Sequence, residues 1–283
     1  MRLLRYFLII ISISWAQAET VVCSFSILKD LCVQLCQGIE GISVHSIVPV
    51  SADPHLYHPK PSDSKILAKA DLIIVNGLNL EGWIEQLIKA SGHTCAFAVA
   101  SQNIPPRYLG NLPDPHVWHD PTLVITMIDN IENALKVAFP KYASNFEKNA
   151  IGLRAVFKEL HTNIVILFSK IEKPERVMLT THDAFSYFAK CFDVTVLSPH
   201  GISTSDDPSA KDLKNLITQI RDLHISAIFL ESLANPKIIN VIATETGKQI
   251  KGTLYADTLK EGLSLQDTLW DNAATMAEAM KNG

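Results

Sequence analysis

KYASNFEKNAIGLRAVFKELHTNIVILFSKIE, residues 141–172, separates two halves of the chain that read alike. It opens after Pro140 and closes before Pro174, with no proline inside. Ile151, Val156, Leu160, Ile164 and Leu167 recur at three to five residues, with charges between them. That spacing predicts one helix of about thirty residues, two to three times the usual length. Gly152 is the one point where it could divide into two, but a glycine costs only ~1 kcal/mol in a helix interior. The continuous reading is favoured, a helix crossing from one half to the other.

Outward from it, short β-rich runs alternate with amphipathic stretches, the pattern of parallel α/β layers. The first half predicts strands at 20–25, 42–49, 71–76 and 94–99, with helices at 27–38, 62–70 and 82–91. A further helix at 121–138 ends at Pro140. Ser62 and Asp63 offer N-caps for the helix at 62–70. The second half predicts strands at 177–181, 193–198, 226–231 and 251–256. Its helices fall near 183–192, 210–223, 236–247 and 268–281, with Asp183 as an N-cap.

With 283 residues, 47% hydrophobic and 19% charged, the chain is globular rather than disordered or fibrous. Its net charge of −4 offers nothing to a polyanion, which argues against nucleic acid as a partner. Arg2 and Arg5 followed by an apolar run and Ala16-Gln17-Ala18 form a cleavable signal peptide over residues 1–18. Cys23 follows Val21-Val22, bulky residues of the first strand, so no lipid anchor is expected on the exported chain. Of the five cysteines, Cys32 and Cys36 share a helix face, and all five read as small buried hydrophobes.

Three histidine segments and one aspartate carry the chemistry. They are Asp53-Pro54-His55-Leu56-Tyr57-His58, Asp114-Pro115-His116-Val117-Trp118-His119, Thr181-His182-Asp183-Ala184-Phe185, and Tyr255-Ala256-Asp257. All four lie beyond strand carboxyl ends, where open α/β sheets bind ligands. Neutral imidazoles and a carboxylate suit a borderline divalent cation such as zinc, with manganese or iron as further candidates. Four protein ligands make a closed site, which favours capture over catalysis. From spacing alone His58 and His119 rival His55 and His116, and His200 is a further rival.

The paired D-P-H-x-[YW] segments, T-H-D-A-F-x-Y-F (Thr181 to Phe188) and the late Asp257 resemble the TroA-like metal receptors, from about Val21 to the C-terminus. These are the substrate-binding proteins of zinc, manganese or iron ABC importers. The resemblance implies an α/β fold of two lobes, each a mainly parallel four-stranded sheet with flanking helices, joined by one long helix. The lobes would span 19–140 and 173–283, with 141–172 linking them. It implies one metal ion held by His55, His116, His182 and Asp257, the first histidine of each D-P-H segment. His182 stands where manganese-selective members typically carry Glu, and residues 100–115 lack the histidine-rich loop of many zinc receptors. The implied partners are a membrane permease and its ATPase, and with the signal peptide the expected location is the periplasm, as a monomer; the absence of a lipid rests on the residues around Cys23 alone.

Two other readings stay open on residues alone. A zinc hydrolase would need an open coordination position and a general base, for which Glu231 is the candidate. The bland reading of Glu231 is a hydrogen-bonding support to a ligand. A surface adhesion or storage protein, braced by metal, is the third.

Overall fold

The computed structural model describes residues 18–94, 97–203, 208–223, 225 and 227–281. The signal peptide expected over residues 1–18 lies outside them but for its last position, as do Cys95 and His224. The first half runs β1 (Glu19–Cys23), α1 (Ser26–Leu35), β2 (Ile42–Ser46), α2 (Pro61–Leu67), β3 (Leu72–Val75), α3 (Ile84–Ser91) and β4 (Phe97–Val99). A hairpin of β5 (Tyr108–Leu109) and β6 (Leu112–Pro113) follows, then α4 (Pro121–Ala138) and α5 (Ala143–Phe168). The second half runs β7 (Val177–Leu179), α6 (Ser186–Phe192), β8 (Thr195–Leu197), α7 (Ala210–Asp222) and β9 (Ala227–Glu231). It ends with α8 (Lys237–Thr246), β10 (Ile250–Leu254) and α9 (Leu265–Lys281).

Each half builds one parallel sheet, in the orders β2-β1-β3-β4 and β10-β9-β7-β8. Counted within its own half, each sheet has the same order, 2-1-3-4. β3 reads Leu72-Ile73-Ile74-Val75 and is buried on both faces, as expected of a strand covered by helices on either side. Among the described residues the expected elements lack the β5–β6 hairpin, whose strands of two residues are too short to show alternation.

α5 is one unbroken helix of 26 residues, about 39 Å long at 1.5 Å per residue. It passes through Gly152, where an added Cβ would meet open space. Its buried stripe is Phe146, Ala150, Leu153, Phe157, Leu160, Ile164 and Phe168, a strict three-and-four alternation until its last step. This corrects the expected stripe, since Ile151 and Val156 are exposed. The aromatic and small residues one step round the helix bury instead. α5 packs on α1 and α4 of the first half and on α6 and α9 of the second. One continuous core therefore runs through both halves, from Val21 to Met280.

Two expected caps are corrected as well. α2 begins at Pro61, so Asp63 sits in its first turn and its carboxylate accepts from the Lys60 N–H at 2.7 Å. α6 begins only at Ser186, because His182 and Asp183 are held in a loop in which the Asp183 N–H donates to the Gly201 carbonyl. Cys23, Cys32 and Cys36 are buried and free, and Cys191 is free and partly buried.

Candidate metal centre

His55 follows β2, His116 follows β6 at the start of a 3-10 turn (Val117–His119), His182 follows β7 and Asp257 follows β10. The four side chains come from separate loops, and one ligand atom of each lies within 4.8 Å of the others. Nε2 of His116 is 3.1 Å from Nε2 of His55 and 3.3 Å from Nε2 of His182. The Asp257 carboxylate lies 3.2 Å from His116, 3.3 Å from His182 and 3.7 Å from His55. Donors about 2.0–2.1 Å from a tetrahedral zinc ion stand about 3.3 Å apart, so the cluster has the dimensions of such a site.

Two of the three rings, His116 and His182, are set from behind by a carboxylate. His116 Nδ1 is 2.7 Å from Asp114 Oδ1, which also accepts the His116 backbone N–H at 2.9 Å. His182 Nδ1 hydrogen-bonds to Glu231 Oε2. Glu231 Oε1 takes the backbone N–H groups of Thr181 and His182 at 2.9 and 3.0 Å. A carboxylate only accepts, so Nδ1 of these two rings carries the proton and Nε2 turns a lone pair toward the common focus. Asp257 Oδ1 is buried there without a hydrogen-bond donor. Acceptors facing one another in a buried space are stable only around a positive charge.

The electrostatics agree. Burial alone would raise the Asp257 carboxyl, yet His182, His116 and His55 hold it well below the usual carboxylate range. Burial alone would lower the His116 imidazole, yet Asp114 and Asp257 outweigh it and carry it to about 10. His182 is likewise raised against its burial, by Glu231 and Asp257. Without a metal, the cluster answers its own excess of acceptors by holding a proton.

The rival histidines lie elsewhere. His58 is exposed. His119 is buried with its ring 4.4 Å from Phe185, neither nitrogen has a partner, and burial pushes its pKa down to about 3. His200 is buried beyond β8, with its N–H donating to the Thr181 carbonyl. Asp53 closes its own loop, accepting the His55 N–H at 2.7 Å.

Sequence reasoning missed the supports beneath the loops. Glu81, buried in the first half, accepts from the N–H groups of Asn76 and Gly77 and from the Ser24 hydroxyl. Asn76 in turn donates to the Pro115 carbonyl at 3.0 Å, beside His116. Glu81 thus does for the end of β3 what Glu231 does for the end of β7. No spacing motif marks a lone glutamate in a loop. Trp118, the x-[YW] residue of the second D-P-H segment, donates its indole N–H to the Ala256 carbonyl at 2.8 Å, one residue before Asp257.

The family described as ZnuA, zinc-uptake complex component A periplasmic, matches residues 21–283. The manganese-binding lipoprotein MntA of Bacillus subtilis is 32% identical over 259 residues, covering 86% of this chain and 84% of its own. The metal ABC transporter substrate-binding lipoprotein SloC of Streptococcus mutans is 30% identical over 278 residues, covering 93% and 89%. Among solved structures, the periplasmic zinc-binding protein TroA of Treponema pallidum superposes with a TM-score of 0.88 at 25% identity, over 93% of this chain and 99% of that one. MntA and SloC, both named lipoproteins, overturn the expectation of a chain free of lipid. That expectation rests on Cys23, which is a fully buried core residue of β1 with its Sγ 3.4 Å from that of Cys32. A core cysteine cannot decide whether a chain is anchored.

Proposed function

We propose that this chain, which belongs to the ZnuA family of zinc-uptake components, is the metal-capturing receptor of an ABC importer. The family consists of substrate-binding proteins of transporters and not of enzymes, which closes the hydrolase reading. His55, His116, His182 and Asp257 hold one divalent ion, zinc or manganese, as cargo. The observation that carries this is their convergence from both halves at tetrahedral spacing. Three nitrogens and one oxygen favour four-coordinate zinc over manganese, which prefers more oxygen donors. Glu231, bonded to His182, serves as its support rather than as a base.

In this reading residues 19–140 and 173–283 are the two lobes, and 141–172 is the stiff link between them. Residues 1–18 direct export to the periplasmic side, where a monomeric receptor delivers its ion to a permease driven by an ATPase. Among the described residues no helix is long and apolar enough to cross a membrane.

Equilibrium dialysis against zinc tests the proposal. One ion per chain is expected, together with a rise in melting temperature. At a hundredfold excess over the dissociation constant the ion stabilises the fold by about 2.7 kcal/mol. No retained zinc, or several ions per chain with no thermal shift, would contradict it.

The raised His116 gives the pH dependence its sign. Its metal-free imidazole, with a pKa of about 10, is protonated at neutral pH, and a metal ion must displace that proton. Zinc affinity should therefore climb with pH, by about tenfold per unit between pH 6 and 8 for one displaced proton. Titrations at pH 6, 7 and 8 check this, and a flat profile would show that no proton is exchanged.

A further inference from the structure

Two consecutive residues at the start of α6 reach across to the first half. Ser186 donates its hydroxyl to Asp114 Oδ2 and accepts from Arg107 Nε at 3.0 Å. The Tyr187 hydroxyl donates to the Asp114 carbonyl at 3.0 Å and accepts from the Arg107 N–H at 3.0 Å. Arg107 and Asp114 flank the β5–β6 hairpin and are themselves joined, Asp114 N–H to Arg107 C=O, at 2.8 Å. Each hydroxyl therefore makes the same kind of bridge, accepting a hydrogen bond from Arg107 and donating one to Asp114. Asp114 is buried, and its other oxygen is the one that holds His116.

Asp114 thus has one hand on a cluster histidine and the other on the opposite half. Ser186 and Tyr187 lie on the segment that also carries His182, four and five residues on. Separating α6 from the hairpin breaks both bridges in one movement. The Asp114 carboxylate then loses the neighbour that fixes its rotamer, and the His116 ring loses its fixed orientation. The expected elements contain neither the hairpin nor this contact, and the T-H-D-A-F-x-Y-F pattern by itself assigns Ser186 nothing.

We infer that Ser186 and Tyr187 are positioning residues that form an inter-lobe latch, coupling lobe closure to the readiness of His116 to hold the ion. The latch rests on the reading of His116 as a ligand. Closure and ligand orientation become a single event, so a partner that draws α6 from the hairpin loosens the ion at its most buried histidine. Arg107 completes the latch by orienting both hydroxyls toward Asp114.

The test is stopped-flow kinetics with zinc, using excess chromophoric chelator for dissociation, on the full chain and on Ser186→Ala, Ser186→Thr and Tyr187→Phe. Loss of an outer partner of a metal-bound histidine costs about 10–100-fold in affinity, so the low end is expected one bond further out. Ser186→Ala and Tyr187→Phe should each release zinc roughly tenfold faster, with association changed by less than about twofold. Ser186→Thr, which keeps the hydroxyl, should restore the slow release. In the metal-free protein the Nδ1–H resonance of His116 should shift in Ser186→Ala while that of His182 stays in place. A role confined to fold stability would lower the melting temperature without moving either readout. Dissociation within twofold of the parent in both Ser186→Ala and Tyr187→Phe would overturn the latch. If Ser186→Ala does not fold, Tyr187→Phe decides the matter alone. His116→Ala separates the two levels, because normal zinc binding there would sink the ligand reading, whereas a dead His116→Ala beside unchanged latch variants would sink the latch only.

Discussion

His116→Ala should leave a folded protein that no longer retains zinc through dialysis. Removing a support behind a ligand costs about 10–100-fold, so deleting His116, the ligand in the proposed site, should cost more. His116 is also the centre of the cluster, 3.1–3.3 Å from His55, His182 and Asp257. Its loss leaves two imidazoles and a carboxylate around a vacated corner open to water. His58→Ala is the matched control, since that side chain is exposed and should bind zinc as the parent does. His119→Ala should also keep binding, while losing the packing of its ring on Phe185. Isothermal titration of the three variants beside the parent gives the comparison.

Glu231→Gln should weaken zinc binding by about 10–100-fold without unfolding the chain. The parent carboxylate accepts three N–H groups, from Thr181, from the His182 backbone and from His182 Nδ1. An amide keeps one acceptor oxygen and turns two N–H groups toward the rest. If its oxygen stays on the backbone pair, its nitrogen meets His182 Nδ1 and forces that atom to accept. The ring proton then moves to Nε2, which can no longer bind a cation. If the amide flips, donors face the buried backbone N–H groups instead, at about 1–3 kcal/mol for each donor left unpaired. The first arrangement puts His182 in the wrong tautomer, and the second keeps the tautomer but strips the loop that carries the ring of its two backbone hydrogen bonds. A Gln variant with parental affinity would show that Glu231 does not set the tautomer.

Much of this was legible in the residues, for definite reasons. The sheet is plainest at β3, which buries both faces and reads as an unbroken apolar run. α5 announces itself by two flanking prolines and none within. The loops holding the cluster follow strand ends, and that placement collects residues some two hundred positions apart. Which histidine of each H-x-x-H pair faces the cluster was not legible from spacing, because both positions share a helical face. The structure separates them by environment: His58 points to solvent, and His119 packs in an apolar pocket against Phe185. The rotation of the α5 stripe was illegible for a similar reason, since Ile151 and Val156 are apolar like the Ala150 and Phe157 that replace them. Glu81, Ser186 and Tyr187 stayed hidden because their partners are backbone or side-chain groups brought close only by the fold.

The most direct measurement is X-ray absorption at the zinc edge of the stoichiometrically loaded protein. The expected shell is three imidazole nitrogens, with their outer-ring scattering, and one carboxylate oxygen, all at about 2.0–2.2 Å. A shell of sulfur, or of oxygens with one imidazole or none, would mean that the two lobes do not share an ion.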